Sequence, residues 1–432
     1  MNTTKTLTLL ACASVFFAPS ITSAADQDGT DPETPFQPEG QPAVIDERRI
    51  DEASLNEDPE AQRRSLAHSA AIDAELAGEP VQDKDAPAPV ELYASIRTHA
   101  ISTFDRTSRD RQSEVSDAGS RLGMRAAWQL DPKWQLMGRA EYGIDLVESF
   151  SSRGDLFGDG GLTERLLHAG VDHQNLTLTY GKNWSSYYQV AGLTDRFVIF
   201  GGSASGAFNA GSSGQFTGTG RPDDVLQARV FIAADRPIFR RIKPFNLNLQ
   251  RQEGQAIPAV AGERYNYSWG ASAIFETLRE FTLGVAYNRA VVPEGRSAIQ
   301  AAGIDGDATA LALATRLFGD TWYAALLVSQ LENMEVTELG QYFDATGVEL
   351  YAQWEFRRNW WLIGGGNWLE PDTGETNAGL FRERYLVVGG RYSFESFRRM
   401  LFFEYKYNDG RLSTGVSIPN ELTLGVRWDF GG

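Results

Sequence analysis

The side chains that most often do chemistry are sparse and scattered in this sequence. Its histidines are His68, His99, His168 and His173, and its only cysteine is Cys12. None of the histidines sits beside a recognisable serine or paired-acid motif, and none has metal-ligand spacing, which hydrolases and metal centres need. The run Gly-Arg-Ala-Glu-Tyr-Gly at 138–143 lies in an alternating segment and reads as strand, not as a phosphate-binding turn. These residues point to no enzyme and no cofactor, and a formal charge of −17 argues against nucleic acid. What remains is charge carried by a strand. Arg121 and Arg125 share one phase of a segment whose other phase is Leu122, Met124, Ala126 and Trp128. Cations on one face and apolar groups on the other suit a wall with water on one side and hydrocarbon on the other.

That period of two runs from Val90 to the end of the chain. In the last segment Leu422, Leu424, Val426, Trp428 and Phe430 alternate with Glu421, Thr423, Gly425, Arg427 and Asp429. The same pattern recurs over 92–100, 122–130, 134–146, 281–287 and 401–407. No run of 18 apolar residues exists after the first 25, so a membrane crossing here is made by strands. The connections sort by length. Short turns fall at 131–132, 172–175, 235–244, 276–280, 319–320, 357–359 and 395–396. Long polar loops fall between them at 106–118, 148–163, 184–221, 254–264, 292–306, 332–342, 370–381 and 409–418. Seven short turns alternating with eight long loops predict sixteen strands with both chain ends on the short-turn side. Outer-membrane barrels have this asymmetry, whereas a soluble sandwich has no reason for it. All ten Trp and all fifteen Tyr lie at Tyr93 or later, and Trp134, Trp360, Trp361 and Trp428 fall near strand ends, where amphipathic rings meet headgroups. The fold class expected is therefore all-β, a sixteen-stranded antiparallel transmembrane β-barrel over 90–430.

The first 89 residues are a different material. Residues 1–25 read as a secretory signal peptide, with Lys5, an apolar run over 7–18 and Ser-Ala-Ala at 23–25. A competing lipoprotein reading of Leu-Leu-Ala-Cys at 9–12 leaves too short an apolar run before Cys12. Residues 26–89 hold 17 Asp and Glu against 5 Lys and Arg, a net of −12, and proline recurs from Pro32 to Pro89. Such an acidic, Pro-rich stretch cannot bury enough apolar surface to fold alone. Asp58, Pro59 and Gly78 bound one short helix within it. The segment is expected to be a periplasmic extension, partly disordered and partly helical, that makes periplasmic contacts.

One long connection stands apart. Residues 181–221 are rich in Gly and Ser and read Gly-Lys-Asn-Trp-Ser-Ser-Tyr-Tyr, then Leu-Thr-Asp at 193–195, Ile-Phe-Gly-Gly at 199–202 and Arg-Pro-Asp-Asp at 221–224. Loops of this length in compact domains are usually functional. The wording resembles the third loop of the general diffusion porins of Gram-negative outer membranes, and the resemblance extends over most of 90–430. It implies a loop (184–221) folded back into the barrel, where acids on the loop face basic residues on the wall. The matching wall positions are Arg121, Arg165 and Arg221. A further basic position of the family falls at Ser95, so Arg97 is the nearest substitute, with Arg125 beside it on the lumen face. On the loop Asp195 matches one family acid, while Ile199 and Ser203 stand where acids are expected. Lys182 shares phase with Leu176, Leu178 and Tyr180 and is expected at the loop base or a subunit contact.

The resemblance also implies the function and the partners. The function is passive diffusion of small hydrophilic solutes and ions through an outer-membrane pore, with charge filtering at the loop constriction. The partners are a homotrimer, outer-membrane lipids and lipopolysaccharide, and the barrel-assembly machinery that reads a terminal aromatic, here Phe430 followed by two glycines. Ala94, Ala126, Ala140 and Gly170 are small positions expected on the outer face at such a subunit contact. Two alternatives stay open. One is a substrate-specific sugar or anion channel, with Trp184, Tyr187, Tyr188 and Phe200 as an aromatic line. The other is an outer-membrane barrel enzyme.

Overall fold

A computed structural model describes residues 90–104, 111–147, 162–232, 245–278, 281–394 and 398–431. The expected signal peptide, the extension at 26–89 with its helix, and most of the second long loop lie outside the described residues. In chain order the strands are β1 (Glu91–Phe104), β2 (Arg111–Asp117), β3 (Arg121–Gln129), β4 (Trp134–Ile144), β5 (Leu162–His173), β6 (Leu176–Lys182), β7 (Val225–Ile232), β8 (Phe245–Glu253) and β9 (Tyr267–Leu278). They continue with β10 (Phe281–Val291), β11 (Ala308–Gly319), β12 (Trp322–Val336), β13 (Tyr342–Arg357), β14 (Trp360–Pro371), β15 (Glu383–Ser393), β16 (Arg399–Asn408) and β17 (Asn420–Gly431). The short helices α1 (Tyr188–Ala191) and α2 (Ser297–Ala301) sit in loops.

Apart from β2, which does not pair with β3, each strand pairs antiparallel with its successor, and β17 closes on β1 from Tyr93↔Gly431 to Phe104↔Asn420. β2 and β3 are halves of one strand, because both pair with β1: Thr98–Phe104 opposes Arg111–Asp117, and Glu91–Ser95 opposes Arg121–Arg125. The break has a local cause. The Asp117 carboxylate accepts the N–H groups of Gly119 (2.7 Å) and Ser120 (2.6 Å), and Gly119 takes a positive φ of 83° that its missing Cβ permits. The barrel therefore has sixteen strand positions, as the turn pattern predicts, and its main sheet closes on itself. The expected first long loop at 106–118 is shorter than its polar sequence suggests, since 111–117 is strand.

Alternation sets the two faces. On the outer face, Leu313, Leu326, Leu350, Leu401 and Phe403 are each more than 40% exposed, a surface suited to hydrocarbon. Near the short turns Trp360, Tyr392, Phe394 and Trp428 form a chain of ring contacts, with Trp360 and Tyr392 centroids 4.8 Å apart, and Trp354 and Phe356 form a separate pair. Two outward expectations are corrected. Trp361 follows Trp360, so alternation turns it inward, and it is buried. Gly170 pairs with Met137 and Thr179 in phase with Arg139 and also faces inward. A bulge in β5 opposite Glu141 and Tyr142 flips the phase between Leu162 and Gly170, and Ala169 takes the outward position instead.

Candidate functional site

The inner face of β1, β3, β4 and β5 gathers cations around one acid. Glu141, on β4, is 1% exposed. Its Oε1 lies 3.0 Å from Arg165 Nε and 3.6 Å from Arg121 Nη1, and its Oε2 lies 2.7 Å from Arg139 Nη2. The Tyr93 hydroxyl donates to the same Oε2 at 2.8 Å and accepts from Arg139 Nε at 2.9 Å. A buried carboxylate is tolerable only when paired and hydrogen-bonded, and here three guanidinium groups share one. Beside this cluster Arg125 lies 3.8 Å from Glu91 and stands over the Tyr93 ring at 4.4 Å. Across the β1–β17 seam Asp429 is bound by Arg427 Nη2 at 2.6 Å and by the Ser95 hydroxyl, and Arg97 Nη2 is 4.0 Å away. Arg221 is fully buried, stands 5.6 Å from the Trp184 ring, and lies within electrostatic range of Arg165. This wall keeps more guanidinium groups than carboxylates.

The segment between β6 and β7 folds inward and is fixed to the opposite wall by its backbone. Glu404, on β16 and fully buried, accepts three consecutive N–H groups, those of Val198 (2.6 Å), Ile199 (3.0 Å) and Phe200 (3.3 Å). Glu349, on β13, accepts the Thr194 hydroxyl at 2.6 Å and the Ala204 N–H at 2.8 Å. Arg391 Nη2 donates to the Arg196 carbonyl (2.6 Å), Ser329 to the Ala204 carbonyl (2.6 Å), and Tyr323 to the Leu193 carbonyl (2.6 Å). Backbone far from any strand needs such partners wherever it is buried.

Small side chains make room for it. The inward residues of β11, Ala308, Ala310, Ala312 and Ala314, are at most 1% exposed and join α1 residues Val190 and Ala191 in one apolar cluster. A Cβ on Gly347 would lie 1.9 Å from the Ala204 carbonyl oxygen, so only glycine allows the approach there.

A barrel of sixteen strand positions with a long segment anchored inside it is the decisive combination. A family model described as Gram-negative porin matches residues 65–432. The chain belongs to the Gram-negative porin family. It is an outer-membrane protein that forms a diffusion pore rather than an enzyme. Among its relatives, Outer membrane protein YedS of Escherichia coli is 23% identical over 334 residues, covering 74% of this chain and 87% of that one. Outer membrane porin N of E. coli strain K12 is 23% identical over 381 residues, covering 79% and 92%. The solved structure of Salmonella typhi OmpF in complex with daunomycin aligns with a TM-score of 0.64 at 17% identity, covering 80% of this chain and 98% of that one. An anion-selective porin from Comamonas acidovorans aligns with a TM-score of 0.58 at 13% identity, covering 79% and 100%. These structural likenesses show the fold.

In this porin the expected site residues separate into groups. Arg121 and Arg165 meet at Glu141, with Arg221 in range. Arg97 joins the Asp429 group and Arg125 joins Glu91. Asp195 is 1% exposed, accepts the Tyr188 hydroxyl at 2.9 Å and lies within electrostatic range of Arg196. The Ile199 side chain is half-buried against the apolar cluster of Phe197 and Phe200. Lys182 reaches Asp223 at 3.1 Å, at the loop base as expected. Sequence reasoning missed Glu141, Glu349 and Glu404. Glu141 stood in plain view in Gly-Arg-Ala-Glu-Tyr-Gly, in phase with Arg139, and the Ala-Leu-Ala-Leu-Ala alternation of β11 signalled a close neighbour inside the wall.

Proposed function

We propose that Arg97, Arg121, Arg125 and Arg165, with the fully buried Arg221 behind them, set the charge of the constriction of this pore, and that the loop closes it from the other side through the stretch from the buried Asp195 to Ile199. Its charge filter favours anions weakly. The supporting observation is that Glu141 is shared by three guanidinium groups, while the loop's acid, Asp195, is buried against Tyr188. In a narrow site walled by low dielectric, unbalanced fixed charge weighs more than in bulk water, where two unit charges about 4 Å apart interact by about 1 kcal/mol. The loop positions beside the tip, Ile199 and Ser203, carry no compensating charge. The remainder of residues 90–432 opposes this, since that stretch carries −6 overall.

The pore works as a homotrimer in lipopolysaccharide-containing outer membrane, inserted by the barrel-assembly machinery, with residues 26–89 on the periplasmic side. Outward Ala94, Ala126 and Ala140 suit a close subunit contact, and a solved Vibrio cholerae OmpT of the same fold is described as a trimer form. A sugar channel built on the expected aromatic line has less support, because Tyr187 and Phe200 turn away from water.

The test is reconstitution in planar bilayers. Insertions should open in three equal conductance steps, and Ile199→Glu should move the zero-current potential in a KCl gradient toward cations, with Arg121→Ala doing so more weakly. Single steps with one closing level would contradict the trimer, and no shift in Ile199→Glu would contradict the placement of the filter.

A further inference from the structure

At the long-loop end of the barrel, three loops are tied into one platform. Glu338, in the loop after β12, accepts Ser413 N at 3.1 Å, Ser413 Oγ at 2.8 Å and Thr414 N at 3.1 Å from the loop before β17. The Ser413 carbonyl accepts the Leu380 N–H at 2.8 Å, which brings in the loop after β14. On this platform stand Leu339, Leu380 and Val416, exposed by 66%, 62% and 58%. They adjoin one another: a Cβ on Gly415 would lie 2.9 Å from Leu380 Cδ1, and Leu339 follows the glutamate that holds Ser413 and Thr414. Single exposed apolar residues are ordinary, but three held together on hydrogen-bonded loops beyond the strand ends form a patch. Its surroundings are acidic. Residues 332–342, 370–381 and 409–418 hold seven Asp and Glu against one Arg, a net of −6. Asp344 lies within electrostatic range of Glu332, Asp305 and Glu375. These four carboxylates accept from hydroxyls, amides and backbone N–H groups, and none has an ion-pair partner among the described residues.

We propose that this platform docks a cationic amphipathic polypeptide, with its apolar side chains on Leu339, Leu380 and Val416 and its Lys or Arg groups toward the carboxylates. Charge complementarity selects this partner over lipopolysaccharide, whose phosphates the same carboxylates repel. Loops already fixed by hydrogen bonds lose little freedom when a partner binds, so less of the contact energy is spent on ordering them. The surface lies outside the constriction and does not depend on the sign of its filter.

The experiment uses the full chain in phosphatidylcholine nanodiscs and a fluorescent helical peptide built of Lys and Leu, with empty nanodiscs as the reference. Binding should saturate above the reference and weaken severalfold between about 0.1 and about 1 M KCl, where the screening length shrinks from about 10 to about 3 Å. The double variant Leu339→Ser with Leu380→Ser should bind about tenfold more weakly, as expected when apolar anchors at the centre of an interface are removed. A peptide with Glu in place of Lys should not bind above the reference. Should the double variant fail to insert, hydrogen exchange on the unmodified protein decides: the Lys peptide should add protection at 339–341, 379–381 and 412–417 and leave the other loops as they were. Binding no greater than to empty nanodiscs, unchanged binding in the double variant, or no added protection at these residues overturns the proposal. Capture of lipopolysaccharide in Mg²⁺, abolished by EDTA, in place of the peptide overturns it as well.

Discussion

Replacing Glu404 with alanine should free the tip of the inward loop while leaving the barrel closed. The carboxylate holds the N–H groups of Val198, Ile199 and Phe200 at 2.6, 3.0 and 3.3 Å and lies 3.6 Å from Arg391. Hydrogen bonds to a charged acceptor contribute about 1.5–3 kcal/mol each. Breaking a buried ion pair by removing one partner costs about 3–5 kcal/mol. The two effects act on the same group and do not add, so about 3–5 kcal/mol is the expected loss for the docked tip. At about 1.4 kcal/mol per factor of ten, that is about a hundredfold to a few thousandfold in the ratio of docked to undocked loop. The strands keep their own ladders, so Glu404→Ala should still show heat-modifiable migration. Its single-channel current should be larger and noisier, and the amides of residues 198–200 should lose protection from hydrogen exchange. Glu404→Gln, which keeps an acceptor but not the charge facing Arg391, should lie between. Unchanged conductance, noise and exchange in Glu404→Ala would refute the view that this carboxylate docks the loop.

Two further outcomes test other parts of the account. Gly347→Val should force the loop off β13, because even a Cβ would sit 1.9 Å from the Ala204 carbonyl oxygen; overpacking of this kind costs about 1–3 kcal/mol, and a normal, quiet channel in this variant would contradict the close approach. Glu338 ties the loop after β12 to the loop before β17, accepting from Ser413 N (3.1 Å), Ser413 Oγ (2.8 Å) and Thr414 N (3.1 Å). Burial alone would raise its pKa, but the hydrogen bonds from Ser413 and Thr414 outweigh that and hold it below the ordinary value of 4.5. A depressed carboxylate stabilises the folded form above its unfolded pKa and loses that contribution as pH falls through the folded value. Amide protection at Ser413 and Thr414 should therefore persist at neutral pH and fall below about pH 4.5, and protection that stays constant down to pH 3 would contradict the latch.

The barrel was legible because its cause is local. Period-two alternation in segments such as 422–430, and short turns alternating with long loops, need no knowledge of distant contacts. The phase of Arg121 against Leu122 and Met124 fixed its inward direction in the same way. Reading failed where a local exception or a distant partner decides. Residues 111–117 are polar apart from Val115, so no alternation marked them as strand. The β5 bulge inverted the phase of Gly170, and counting by twos from Leu162 cannot see an extra residue. Asp195 was matched to a family acid by position, but its surroundings are set by Tyr188, seven residues earlier, and by how the loop packs. Glu349 and Glu404 bind loop backbone that is 145 to 206 residues away in sequence. Backbone N–H groups leave no signature in a sequence, so neither carboxylate could be identified as an anchor before the fold was known.

The most direct test of the central claim is the zero-current potential of the unmodified protein in planar bilayers across a KCl gradient at neutral pH. An arginine-rich wall facing a loop whose one acid is buried predicts a potential of the sign set by chloride, modest in size and shrinking as salt screens the wall. A strong potential of the sign set by potassium would contradict it.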